Sequence, residues 1–201
     1  MRKAILHLKK ADPVLGALIG RIGPYRIEYR EPRFETLVRS VVYQQLSGKV
    51  ARVIFDRLAG AAGDGEMTPA SILRLTPQRM RKLGLSQQKT SYIRDLAAKA
   101  RDRQVDFDAL PAMPDDAIIE SLTRVKGIGV WTVQMFLIFA LRRPDVMPSA
   151  DLGIRKAVHL AYGLAEMPRP AEVDRLSLPW RPFCSVASWY LWRSLEDNAG
   201  L

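Results

Sequence analysis

The chain has 201 residues, 48% hydrophobic and 26% charged, and Lys plus Arg outnumber Asp plus Glu by 31 to 21, a formal charge of +10. That length can bury a core in one large domain or two small lobes, and that charge points to a polyanionic partner. The single cysteine, Cys184, excludes a disulfide framework and a cysteine-held iron-sulfur cluster, and with only two histidines a Cys/His zinc site is disfavoured.

In chain order, Met1 to Lys10 mixes basic and apolar residues without the apolar core of a signal peptide. Asp12 to Ile22 reads as a short helix, with Asp12 as cap and Pro13 at the first position. Phe34, Leu37, Val38, Val41 and Val42 fall at helical spacing and lead into Tyr43-Gln44-Gln45-Leu46-Ser47. A second helix follows through Val50 to Leu58, then a small-residue loop from Gly60 to Gly65. Thr68-Pro69 and Thr76-Pro77 are helix starts, and Gly84 breaks the short helices they open. Gln87 to Arg103 is a longer helix with Tyr92, Ile93 and Leu96 on one face, and Asp115 to Arg124 is the next. Val130 to Leu141 is apolar almost all round and is predicted to lie inside a core; broken by Thr132 and Gln134, it is too short to span a bilayer. Leu152 to Tyr162, Pro170 to Leu176 and Pro182 to Glu196 complete the helices. Strand-like alternation is almost absent and no repeat is found. The predicted class is all-α, in a protein of a reducing cytoplasm.

The segment Leu122 to Thr132 reads as a helix end, a Gly127-Ile128-Gly129 hairpin and a helix start, within a motif covering 115–141. Two glycines around one apolar residue permit tight dihedrals and let the backbone approach a partner closely. The free amides at the start of the following helix form an anion site. Gly-x-Gly also occurs in plain structural turns, and the motif alone leaves both uses open.

Asp151 sits at the start of a predicted helix, where a carboxylate caps free amides or is available for chemistry. The helix from Val130 carries the chain about 18 Å away, at roughly 1.5 Å per residue. The segment 142–150 can reach up to about 30 Å at roughly 3.3 Å per residue, enough to return Asp151 to the hairpin end. His159 lies eight positions further on, a rise of about 12 Å, too far for a direct bond to Asp151. A lone carboxylate is the better candidate, with His159 a surface or packing residue.

Five elements occur in one order: Tyr43 to Ser47; Gly84-Leu85-Ser86 with Lys89 and Tyr92-Ile93; the hairpin through Trp131-Thr132; Pro148 to Lys156; and Pro179-Trp180-Arg181-Pro182 to Trp192. With this ordered set the chain resembles the helix-hairpin-helix DNA glycosylase superfamily. More closely it is similar to the 3-methyladenine DNA glycosylases of the bacterial alkylation-inducible type and their yeast relatives. The resemblance implies two helical lobes with the active-site cleft between them, in a single domain over residues 1–201 that lacks the N-terminal β-rich domain of the bacterial enzyme.

The resemblance also implies roles. Asp151 is the catalytic carboxylate, beside an oxocarbenium-like sugar as the N-glycosidic bond breaks. Alkylated purines of the 3-methyladenine and 7-methylguanine type leave as already cationic bases, which fits the lack of an obvious second acid. Trp131 and Trp192 match base-pocket positions, and Tyr43 could also face the pocket; ordinary core packing is the alternative for the tryptophans. Met135 and Leu152 replace aromatics of the bacterial pattern, which puts the substrate range in question.

Gln44, Gln45 and Leu46 occupy the loop whose wedge fills the gap left by a flipped base, with Gln45 at the wedge position by ungapped alignment. The alternative is a core Leu46 and glutamines that cap the helix. Lys126, Gly127, Ile128 and Gly129 match the phosphate grip. Arg155, like Lys156, is a phosphate contact or part of a solvated face. Backbone carbonyls of Thr123, Val125 and Ile128 match a sodium site, and no other cofactor is implied. Relatives that nick the backbone carry a lysine where this chain has Trp131, so a monofunctional enzyme without AP lyase activity is expected. Its partner is double-stranded DNA with a damaged base, and it acts as a monomer. The competing readings are a glycosylase for other lesions and a non-catalytic hairpin module that only grips DNA.

Overall fold

The computed structural model describes residues 1–63 and 66–197, and among them the chain is helical with no strand. The helices are α1 (Arg2–Ala11), α2 (Pro13–Ile22), α3 (Phe34–Tyr43), α4 (Gly48–Ala62), α5 (Pro69–Arg74), α6 (Pro77–Lys82), α7 (Gln87–Arg101), α8 (Asp115–Thr123), α9 (Val130–Phe139), α10 (Leu152–Ala161), α11 (Pro170–Leu176) and α12 (Cys184–Asp197). Two 3-10 turns, Leu110–Ala112 and Leu178–Trp180, complete the regular structure. No described helix is long and apolar enough to cross a membrane.

Side-chain caps fix several boundaries. The Asp12 carboxylate accepts the Leu15 amide, Thr76 the Arg79 amide and Ser86 the Lys89 amide, while Thr68 and Ser71 form a reciprocal capping box. Each satisfies a donor that a helix start leaves open, and Pro13, Pro69 and Pro77 add a preset φ.

One helix was not predicted, and one expectation needs correction. The N-terminal segment forms α1, whose buried Ala4 and Leu8 lie four apart on one face; two small apolar positions among basic residues are a faint signal. The loop expected from Gly60 begins later, because α4 continues to Ala62 and Gly63 takes a φ of 122°. Positions 64 and 65 of that loop lie outside the described residues.

The chain forms two compact units, matching the expected two lobes: Arg30–Phe136, and Met1–Tyr29 with the chain from Leu137 onward. In the first, α3 and α7 pack together and α4, α5 and α6 surround them. Leu37, Val38, Val41, Leu58, Ile72, Ile93 and Leu96 are completely buried there. In the second, α12 packs on α2 and α10, and α1 lies against α2. Leu8, Leu15, Ile154, Val158, Trp180, Ala187 and Leu191 belong to its core. Burial of about 1.5–3 kcal/mol per large apolar side chain is the main driving term in each unit.

Candidate functional site

The loop between α3 and α4 is built around an uncommon backbone conformation. Gln45 has a φ of 56°, in the left-handed region that a side chain usually avoids. The turn is closed by the Gln44 amide on the Val41 carbonyl and the Leu46 amide on the Tyr43 carbonyl, each at 3.3 Å. Leu46 is 38% exposed, which overturns the core alternative for it. Gln44 is not a helix cap through its side chain: its Nε2 donates to the Gly127 carbonyl at 3.0 Å, joining this loop to the hairpin. Tyr43 is half-buried, with the Arg39 guanidinium 4.2 Å above its ring.

In the hairpin the two glycines serve different ends. Gly127 has a φ of 75°, and a Cβ there would fall 2.0 Å from Cδ2 of Tyr92, inside the space of the ring. A Cβ on Gly129 would meet nothing within 4 Å, and its φ lies outside the left-handed region. The expectation that both glycines are needed for tight dihedrals therefore holds for Gly127 alone. Nothing among the described residues requires a glycine at 129.

Val125 and Ile128 anchor the hairpin from below, at 2% and 3% exposure. Any approach to Ile128 from solvent is thus to its backbone. The Lys126 amide donates to Oδ2 of Asp95 at 2.9 Å, and the same oxygen accepts Nζ of Lys99 at 2.7 Å. Burial raises the Asp95 pKa, but the Lys99 and Lys126 bonds outweigh it and hold the carboxyl below its usual range. The Lys126 side chain is exposed.

Val130 and Trp131, which open α9, are 50% and 47% exposed, while Val133, Phe136, Leu137 and Ile138 are buried. The uniformly buried helix expected here is exposed at Val130 and Trp131 and only partly buried at Gln134, Met135 and Phe139. Of the carbonyls proposed for a cation, that of Val125 accepts the Ile128 amide at 3.1 Å. Among the described residues no group of three His, Cys, Asp or Glu side chains could hold a metal.

The carboxylate of Asp151 is held from two sides. Oδ1 accepts the Ile154 amide at 2.8 Å, so Asp151 caps α10, and accepts Nε1–H of Trp192 at 2.9 Å. The Trp192 ring stacks on Phe139, with centroids 5.8 Å apart and planes 27° apart. Gly153 fits under this pair: a Cβ there would stand 3.0 Å from Oδ1 of Asp151 and 3.1 Å from Cδ1 of Trp192. Leu152, the next side chain, is 66% exposed.

Arg155 turns its Nε to the Pro168 carbonyl at 2.7 Å, and Nδ1 of His159 lies 3.1 Å from the Glu166 carbonyl. His159 is thus a packing residue. Four residues that shape these sites, Lys89, Tyr92, Asp95 and Gly153, carry no role in the sequence reading. Their signal was positional: 89, 92 and 95 recur at helical spacing on α7.

Residues 38–182 match the HhH-GPD superfamily of base excision DNA repair proteins. The chain belongs to that superfamily. It is 35% identical to DNA-3-methyladenine glycosylase 1 of Schizosaccharomyces pombe over 200 residues, which are 96% of this chain and 87% of the relative. The solved structure of the S. pombe 3-methyladenine DNA glycosylase Mag1 in complex with abasic DNA superposes with a TM-score of 0.86, covering 96% of this chain and 97% of that one. The DNA-3-methyladenine glycosidase of Bacillus halodurans superposes with a TM-score of 0.89 at 31% identity, over 98% of this chain and 91% of that one.

Proposed function

We propose that the chain is a monofunctional DNA glycosylase that hydrolyses the N-glycosidic bond of alkylated purines, with Asp151 as its catalytic carboxylate. The observation that carries this reading is the fixed Oδ1 of Asp151, held by the Ile154 amide and the Trp192 indole. Loss of a cationic base such as 3-methyladenine leaves positive charge on the sugar, and a carboxylate already in place stabilises it without reorganisation. The same group orients the attacking water and takes its proton. Similarity to the S. pombe glycosylase, named for 3-methyladenine, supports the substrate class.

The base must leave the stack to reach this chemistry. Gln45, presented on a left-handed turn beside the exposed Leu46, is the wedge that takes its place. Tyr43, Trp131 and Trp192 receive the flipped base, and an aromatic face favours a cationic base by about 0.5–2 kcal/mol. The open Gly129, Gly127 and the exposed Lys126 grip phosphates of duplex DNA without reading sequence, and Arg155 adds charge. Trp131 offers no amine, so water is the nucleophile and the abasic strand stays intact. A sodium ion on the carbonyls of Thr123, Val125 and Ile128 would order the hairpin, with no part in bond cleavage. The enzyme acts as a monomer.

Duplexes carrying a single 3-methyladenine or 7-methylguanine test this reading. The parent should release the base and leave sites cleaved only by alkali, whereas Asp151→Asn should be slower by about a hundredfold or more. DNA binding without base release by either protein would overturn the enzyme assignment in favour of a gripping module. Nicking without alkali would overturn the monofunctional one.

A further inference from the structure

Helix α7 holds the wedge loop and the hairpin through a single turn. Nζ of Lys89 donates to the Val42 carbonyl at 2.7 Å and to the Gln44 carbonyl at 2.6 Å. Val42 lies in the last turn of α3, where carbonyls lack helical partners and a cation is favoured. Gln44 is the residue just before the left-handed Gln45. One turn further along α7, the Tyr92 ring packs on Gly127, and its hydroxyl accepts Nε2 of Gln88 at 2.5 Å. Gln44, Gln45, Leu46, Lys89, Tyr92 and Gly127 all line one cleft of about 440 Å³.

Lys89 is itself anchored at its base, because its amide is capped by Oγ of Ser86 at 3.1 Å. The stem is half-buried, and burial pushes the ammonium pKa down from the usual lysine value. Holding a cation there is unfavourable in itself, so the two carbonyl bonds must offset it. They do so by pinning the backbone on both sides of Tyr43, immediately ahead of Gln45. A left-handed glutamine costs of order 1–3 kcal/mol and persists only when its surroundings over-determine it.

We propose that Lys89 is the positioning residue of the wedge: through the Val42 and Gln44 carbonyls it fixes the conformation of Gln45, and so sets how readily a paired base is turned out, without touching DNA. This rests on the glycosylase reading and adds to it a residue outside the reacting atoms. A loosened wedge raises the barrier for extruding a paired base. It matters little when the base is already unpaired, because unpairing is then no longer needed.

The test compares Lys89→Met and Lys89→Arg with the parent, on 3-methyladenine in duplex DNA and in the same strand left single. Lys89→Met should lose about tenfold or more in single-turnover release from the duplex and stay within about threefold on the single strand. Lys89→Arg, which can still donate to both carbonyls, should recover most of the duplex rate. Equal losses on both substrates, or full duplex activity in Lys89→Met, would overturn the proposal. Should Lys89→Met not fold, Lys89→Gln carries the same comparison with one neutral donor retained.

Amide hydrogen exchange in the DNA-free protein provides a second readout that needs no catalysis. Exchange at Leu46 should accelerate in the Met variant, and unchanged exchange overturns the positioning role. An inactive parent whose Leu46 responds in this way refutes the glycosylase reading while leaving the Lys89 contact with the loop established.

Discussion

Trp192 donates its indole N–H to the same Asp151 oxygen that caps α10, at 2.9 Å beside the 2.8 Å bond from Ile154. The two donors approach from different elements, one from the backbone of α10 and one from a side chain of α12. A cap alone fixes where the carboxylate sits; the second donor also fixes the plane in which it lies. Hydrogen bonds to a charged group contribute about 1.5–3 kcal/mol, so losing one is measurable.

Trp192→Phe keeps an aromatic ring to stack on Phe139 and removes only the donor. Single-turnover release of methylated base is expected to fall by about tenfold, with DNA affinity little changed, since the lost bond holds the carboxylate and no part of the backbone grip. A fall in affinity with an unchanged chemical step would show that Trp192 serves binding alone. Comparing the rate at saturating enzyme with the binding constant separates the two.

Gly153→Ala tests the same relationship from the other side. Alanine is the better helix former by roughly 1 kcal/mol, so α10 alone would be stabilised. The added methyl, however, meets the Asp151 oxygen at 3.0 Å and the Trp192 ring at 3.1 Å, and these must give way. The expected outcome is a melting temperature close to the parent's with base release reduced severalfold. A variant as active as the parent would show that the carboxylate tolerates displacement.

The two hairpin glycines should part company under substitution. Gly127→Ala places a methyl in the Tyr92 ring and in a left-handed conformation costing about 1–2 kcal/mol, so thermal stability should drop. Gly129→Ala meets nothing among the described residues and should melt like the parent, yet a methyl there would crowd the phosphate contact proposed for this glycine. Its affinity for duplex DNA, read by fluorescence anisotropy, is expected to fall. Equal melting losses in both variants would mean that Gly129 too serves the fold.

These pairs show where sequence reading stops. Helix starts were legible because a cap and its amide lie three positions apart, as with Thr68 and Ser71 or Asp151 and Ile154. Gly127 and Gly129 look alike in sequence, and only the Tyr92 ring, brought in from α7, distinguishes them. The bonds from Lys89 to Val42 and from Trp192 to Asp151 span 47 and 41 positions. Neither hydrophobic periodicity nor capping rules carry information over that range. What the sequence offered at those positions was a place in a family motif for Lys89 and a base-pocket match for Trp192, with neither bonding partner.

Asp12 gives the pH dependence of stability. It is 8% exposed, caps α2 through the Leu15 amide, and accepts the Tyr162 hydroxyl at 2.5 Å and Trp180 Nε1 at 2.9 Å. Burial raises its pKa, but the bonds from Tyr162, Leu15, Trp180 and Val14 together outweigh it, and the folded-state pKa lies below the ordinary value. A carboxyl depressed by folding contributes stability that is fully present above the unfolded pKa of about 3.9 and is lost as pH falls through the folded value. Asp12→Asn keeps a capping oxygen but loses the charge that two side-chain donors address. At neutral pH it is expected to cost about 2–3 kcal/mol, the range for disrupting a charged, buried hydrogen-bond network. In urea unfolding measured from pH 7 down to about pH 3, the gap between variant and parent should narrow as the parent's carboxylate takes up its proton. A gap that stays constant over that range would mean that the network draws nothing from the charge of Asp12 and only needs an oxygen there.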